Sequence, residues 1–245
     1  MKNCYVKTYE KEVNNNELPL VDAILVHRVY DANLTGGSDT TIALRSGTDK
    51  LYLSILNKYA GVGCFENSAS DITTDTGVIE TTISKGNNVG YKYLSNGTYD
   101  IKITPKYPNL AYLQLRKCIF ADSLESIVQF MSKDEASVII LTNSTITGDV
   151  ACFAELSHLA GLQINGTQIY GDITSLGNLI ETVGLMHFQN TNVYGSVKDL
   201  ANLLKSNGKV SSTFRYVPSS FMTELVGTHS EGVYTITFDA NGDWT

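Results

Sequence analysis

From Leu110 to Leu203 apolar and polar residues alternate over short runs, and the same run returns several times. Gly148, Gly171 and Gly195 recur at intervals of 23 and 24 residues, and in that register the other columns align. Leu141, Ile164 and Phe188 share one column, Ser144, Thr167 and Thr191 the next, then Ile146, Ile169 and Val193, and finally Val150, Ile173 and Val197. Threonine or tyrosine always precedes the glycine. Alternation at period two describes a short strand with one buried face. The hydroxyl column suits a side chain that hydrogen-bonds the backbone at the bend leaving the strand, and glycine permits a tight backbone there. A fainter earlier copy runs through Leu113, Leu115, Cys118, Phe120 and Leu124; Asp122 stands where the glycine should be, which predicts a different turn. One such unit cannot bury its own apolar face, so the copies must stack, with a parallel sheet along one side.

Other segments carry other patterns. In the first copy Leu124, Ile127, Val128 and Met131 recur at helical spacing within Ser123–Met131, which predicts a short helix on the convex side. The same place in later copies reads Phe153–His158, Leu176–Glu181 and Lys198–Lys205, the last ended by Asn207-Gly208. Residues 1–107 lack the repeat and predict strands at Cys4–Lys11, Ala23–Tyr30, Thr41–Arg45, Leu51–Leu56, Val78–Ser84, Gly90–Leu94 and Tyr99–Thr104. Asn96-Gly97 between the last two is a hairpin signal. Val13–Glu17 reads as a surface loop or as a flexible arm joining one subunit to another. Pro105 and Pro108 mark a boundary, since neither extends a ladder. Residues 210–245 break the repeat and contain the alternating strand Val233–Phe238. The expected fold is therefore α+β and mostly β. It has an antiparallel β-sandwich-like domain over 1–107, a solenoid with a parallel sheet over 108–209, and a C-terminal β cap over 210–245.

The text shared by the copies is apolar-x-apolar-x-x-Ser/Thr-x-Ile/Val-Thr/Tyr-Gly-Asp/Ser-Ile/Val. It resembles the leucine-rich repeat family, in the class written Leu-x-Leu-x-x-Asn/Thr-x-Ile-x-Gly-x-Ile. It departs from that family by placing Ser or Thr at the bend and by having three clear copies. The phrases "TGDV", "YGDI" and "YGSV", the opening "VKTYEKEVNNNELP" and the closing "YTITFDANGDW" are similar to virion structural proteins of crAss-like phages of gut bacteria. That second resemblance implies a head fibre or a capsid or tail appendage.

Charge and chemistry narrow the function. The 245 residues carry a formal net charge of −7, with no Lys/Arg cluster, which argues against nucleic acid as a partner. No apolar stretch is long enough to span a membrane. Met1–Lys7 lacks the apolar core of a secretory signal, so the expectation is synthesis in the host cytoplasm and a place in the virion. Cys4, Cys64, Cys118 and Cys152 have no metal-ligand spacing and read as buried thiols. His27, His158, His187 and His229 are not paired in sequence with a nucleophile, and no elbow, phosphate loop or zinc motif is present. Gly61-Val62-Gly63 reads as a turn. Asp239–Asp243 places oxygens at alternate positions, but its glycine is out of place for a calcium loop. Asp149 and Asp172 can hold a cation, yet as solvated turn residues they need no such role. The reading assigns no catalytic residue, no metal and no cofactor, and takes the chain as not an enzyme.

What remains is a surface. Residues between the inward apolar positions project outward and stack in columns. Tyr112, Val138, Gly161 and Leu185 form one column, Gln114, Ile140, Gln163 and His187 the next, and Arg116, Thr142, Asn165 and Gln189 a third. Tyr170 and Tyr194 are expected beside them at the bend. Aromatic, amide and apolar groups in register suit a protein or glycan contact. The candidate binding residues are Tyr112, Gln114, Arg116, Gln163, Asn165, His187, Gln189, Tyr170 and Tyr194. The partners expected are other virion proteins, the chain itself as a dimer or trimer, and a host-surface protein or glycan. A bacterial cell-surface leucine-rich-repeat binding protein is the alternative.

Overall fold

The computed structural model of the protein describes residues 23–30, 41–47, 51–58, 65–67, 79–83, 88–93, 97–105, 110–181, 185–196, 198–199, 202, 212–218 and 233–238. It is mostly β, with antiparallel and parallel sheets. Seven described strands precede the repeats: β1 (Ile24–Tyr30), β2 (Thr41–Ser46), β3 (Leu51–Lys58), β4 (Phe65–Asn67), β5 (Ile79–Ile83), β6 (Asn88–Tyr93) and β7 (Gly97–Pro105). Six of them match the alternating runs anticipated between residues 23 and 104, with ends shifted by a residue or two. The three-residue β4 is too short to show a period. The strand expected at Cys4–Lys11 and the run Val13–Glu17 lie outside the described residues.

The hairpin expected at Asn96-Gly97 does not form. β6 pairs with β2 and β4, whereas β7 pairs with β1 and β3, so the chain crosses between sheets at that point. β7 already has a long antiparallel partner on each side, which leaves no edge for β6. Pro105 is the last residue of β7, opposite Leu51, where a missing N–H costs the ladder least.

Each repeat then contributes two strands: β8 (Leu110–Gln114) with β9 (Cys118–Phe120), β10 (Val138–Ile140) with β11 (Thr147–Asp149), β12 (Gly161–Gln163) with β13 (Gln168–Asp172), and β14 (Leu185–His187) with β15 (Asn192–Tyr194). The first strands stack in parallel as β8-β10-β12-β14, and β8 also pairs antiparallel with β2. The result is one sheet of seven strands, ordered β14-β12-β10-β8-β2-β6-β4. β9 pairs antiparallel with β1 and so extends the other early sheet, β5-β3-β7-β1-β9. Both sheets therefore run across the boundary expected at residue 107. A buried arginine ties the junction: Arg28 Nη1 on β1 donates to the Lys117 carbonyl at 2.7 Å. A single apolar cluster extends from Ile24 through Leu113 and Phe153 to Val193. β16 (Ser212–Pro218) and β17 (Val233–Phe238) pair antiparallel, and β16 lies against β14.

The repeat columns take the roles their chemistry suggests. Leu113, Ile139, Leu162 and Met186 point inward from the first sheet and are buried, as are Ile146, Ile169 and Val193 behind the second strands. Thr167 Oγ1 donates to the Ile164 carbonyl at 2.6 Å and accepts from the Ile169 N–H at 3.4 Å. Thr191 repeats this with Phe188 at 2.6 Å and Val193 at 3.3 Å. The hydroxyl closes the bend in place of a backbone ladder. A further column went unread in the sequence. Lys117, Asn143 and Asn190 have φ of 54°, 55° and 55°, and Gly166 has 69°. Asn and Gly are the residues that enter the left-handed region most readily, so this column carries its own signal.

The glycine column is held by packing as well as by conformation. Gly171 has φ +117°, and a Cβ placed on it would lie 2.4 Å from Asp149 Oδ1 of the preceding repeat. Gly148 sits as closely on Leu124 and Glu125. Where Asp122 replaces the glycine, α1 (Leu124–Val128) follows, capped by Ser123 Oγ accepting from the Ser126 N–H at 3.4 Å. The helices expected at the same place in the second and third copies are instead 3-10 turns, Val150–Glu155 and Ile173–Glu181. Their connections back to the first sheet are shorter than that between Leu124 and Val138, which favours the tighter winding. Of the fourth copy's predicted helix, only Lys198, Asp199 and Asn202 are among the described residues, and these are helical.

Candidate functional site

The outer side of β8, β10, β12 and β14 brings seven of the nine predicted residues together. Val138 pairs with Tyr112 and with Gly161, which pairs with Leu185; Ile140 pairs with Gln114 and with Gln163, which pairs with His187. Because the pairing follows the repeat interval, equivalent residues stand side by side. Arg116, Asn165 and Gln189 continue the columns just beyond the strand ends, where Leu141 N–H bonds the Gln163 carbonyl and Ile164 N–H bonds that of His187, each at 2.8 Å. β10 and β12 have a strand on each side, so their backbone groups are engaged and the face offers side chains only.

Those side chains are partly bonded to one another. Tyr112 donates its hydroxyl to Gln114 Oε1 at 3.2 Å, and Arg116 Nη2 donates to Gln163 Oε1 at 3.5 Å, reaching across the β10 column. Burial raises the Tyr112 pKa and the Arg116 charge pulls against it; the net rise keeps the phenol protonated and a donor. Arg45 on β2, opposite Tyr112, continues the face into the early strands. Its Nη2 donates to Ser137 Oγ at 2.5 Å and to the Ala111 carbonyl at 3.2 Å. The sequence reading missed Arg45, because a pairing between residues so far apart leaves no local signal.

The strand ends and following bends, residues 114–117, 140–143, 163–166 and 187–190, contain six carboxamides, two cations and no carboxylate. The amides are Gln114, Asn143, Gln163, Asn165, Gln189 and Asn190. Asn165 Oδ1 and Gln189 Oε1 are out of contact with solvent and have no donor among the described residues. Acidic groups lie instead on the side of the second strands, where they serve the fold. Glu125 Oε1 accepts the Asp149 N–H at 2.7 Å, Asp149 Oδ1 accepts the Ala151 N–H at 2.9 Å, and Asp172 Oδ1 accepts from Thr174 N at 2.9 Å and from its Oγ1 at 2.8 Å. Burial acts to raise the Glu125 pKa, but the Asp149 backbone bond and other local bonds outweigh it and hold the group below its ordinary 4.5.

Tyr170 and Tyr194 do not join this face. They stand on the outer side of β13 and β15, in the three-stranded sheet β11-β13-β15, and are 47% and 62% exposed. There the pairing slips by two residues: Thr147 pairs with Gln168, and Tyr170 lies beside Asp149 and Tyr194 beside Asp172. The predicted surface is thus divided between two sheets.

His27 Nδ1 meets Asp100 Oδ1 at 2.7 Å across β1 and β7, His158 is exposed in a turn, and His229 lies outside the described residues. Cys118 is buried and free, its thiol pushed up to about 12 by burial with Arg28 pulling the other way; Cys152 is half-buried, free and likewise raised by burial. Cys4 and Cys64 lie outside the described residues. Among the described residues no group of three His, Cys, Asp or Glu side chains converges on a metal site, and no helix is long and apolar enough to cross a membrane. Comparison of the chain with family models, with curated proteins and with solved structures returns no match.

Proposed function

We propose that the protein is a non-enzymatic structural component of a phage virion, a head fibre or a capsid or tail appendage. It assembles through its β-sandwich-like segment 1–107, whose two sheets continue into the repeats, and presents a leucine-rich-repeat-like solenoid, capped by 210–245, for protein or glycan contact. The observation that carries this reading is the outer face of the first repeat sheet, which is free of acid and dense in amides on a chain of net charge −7. The phrase resemblance to virion proteins supports the location, with synthesis in the host cytoplasm. Assembly through 1–107 is supported by β4 and β5, which among the described strands end the two early sheets and leave backbone groups where another subunit can add. A dimer or trimer results.

An antibody raised against the full chain tests the location. Regular labelling of heads or tails on intact phage particles is the expected result. Label on the bacterial surface and none on particles would favour the bacterial cell-surface binding protein instead. Mass photometry of the full chain tests assembly, with a defined dimer or trimer expected and a monomer at micromolar concentration contradicting it.

A further inference from the structure

Three properties of the amide-rich face select its occupant. Its charged groups are cationic: Arg116 and Lys117 at the bend of the first repeat and Arg45 on β2, with no carboxylate among the outward residues of β8, β10, β12 and β14. An anionic partner is therefore complementary, and the acidic remainder of the chain repels it elsewhere. Its polar groups are mainly carboxamides, each of which both donates and accepts, in a planar arrangement that spans neighbouring hydroxyls. Finally, β8, β10 and β12 each have a strand on both sides, so an extended peptide cannot add to them through its backbone, and recognition there falls to side chains.

We propose that this face binds an acidic oligosaccharide, with its hydroxyls on Gln163, Asn165 and Gln189 and its carboxylate against Arg116 and Lys117. The proposal rests on the contact reading given above and names the partner. Tyr112 and His187 flank the amides and supply ring surface for a sugar face. Gly161, at the centre of the face, is a site at which access can be blocked without disturbing the fold. A Cβ there meets only the Val138 side chain, at 3.5 Å or more, and its φ lies outside the left-handed range.

Affinity electrophoresis of the full chain through gels containing polygalacturonate, alginate or polysialic acid is the test, with methyl-esterified polygalacturonate and dextran as uncharged counterparts. At least one acidic polymer is expected to retard the chain about tenfold more strongly than the uncharged ones, and added salt to weaken that retardation. Arg116→Gln should lower the affinity for the acidic polymer about tenfold and leave weak binding of the ester unchanged. Gly161→Trp should abolish retardation by every polymer while keeping the circular dichroism and urea midpoint of the parent. Equal retardation by acid and ester, or parental binding by Gly161→Trp, overturns the proposal. If no polymer retards the chain but Gly161→Trp changes the oligomer mass by mass photometry, the glycan is wrong and the contact reading stands. If that mass is unchanged as well, both fall.

Discussion

The two sheets built by the repeats use polar residues differently. In the second sheet the outward and turn positions are occupied with holding the stack together: Asp149 and Asp172 cap the 3-10 turns, Glu125 bonds the next repeat's backbone, and Gly171 lies against Asp149. Its strands slip by two residues from one repeat to the next. In the first sheet the pairing keeps the repeat interval, and outward side chains bond one another, Tyr112 to Gln114 and Arg116 to Gln163. The same repeat thus makes one face that folding depends on and one that it does not. The glycines mark the difference most clearly, since a Cβ at Gly171 collides with its neighbour and one at Gly161 has room.

The largest effect is expected at Gly171. Gly171→Ala places a side chain at φ +117° and 2.4 Å from Asp149 Oδ1, which should remove the cap and cost about 2–4 kcal/mol in urea unfolding. Thr167→Val should come next, at about 1–2 kcal/mol, because it removes a buried hydroxyl that serves both Ile164 O and Ile169 N. A smaller, pH-dependent effect belongs to Glu125. Its pKa is lower in the folded protein, so its contribution is present above the ordinary value of 4.5 and is lost as pH falls through the folded value. Glu125→Gln should therefore flatten the acid limb of a stability-against-pH curve, with its cost present at pH 7, where the parent carboxylate is ionised, and vanishing as pH falls below the folded value. The smallest effect is expected at Gly161→Ala, within about 0.5 kcal/mol of the parent. A cost at Gly161 matching that at Gly171 would erase the contrast between the sheets.

Much of this was legible in the sequence, for local reasons. The buried columns, the hydroxyl at the bend and the glycine after it recur at 23 and 24 residues, and a repeated local pattern reports its own register in the first sheet. The left-handed column was equally legible through Asn143, Gly166 and Asn190, but Lys117 opens it with a residue that hides the pattern. The slip of the second sheet was not legible, because the repeat period does not record it. Tyr170 and Tyr194 are separated from the face they were expected to join because β13 and β15 belong to the other sheet. The junction was hidden as well: β2 with β8 and β1 with β9 are pairings between distant residues, and they alone bring Arg45 to the face and Arg28 beneath the first bend. Helix type depended on connection length, which a helical period over a few residues does not encode.

The central claim is that the first sheet's outer face is spare to the fold. Equilibrium urea unfolding of a variant carrying Gln114→Ala, Gln163→Ala and Gln189→Ala together tests it most directly, measured beside Gly171→Ala. The account predicts a triple variant within about 1 kcal/mol of the parent, with an unchanged slope, while Gly171→Ala loses at least twice that. A triple variant as unstable as Gly171→Ala would show that the amides hold the stack, and would contradict the assignment of this face to a partner.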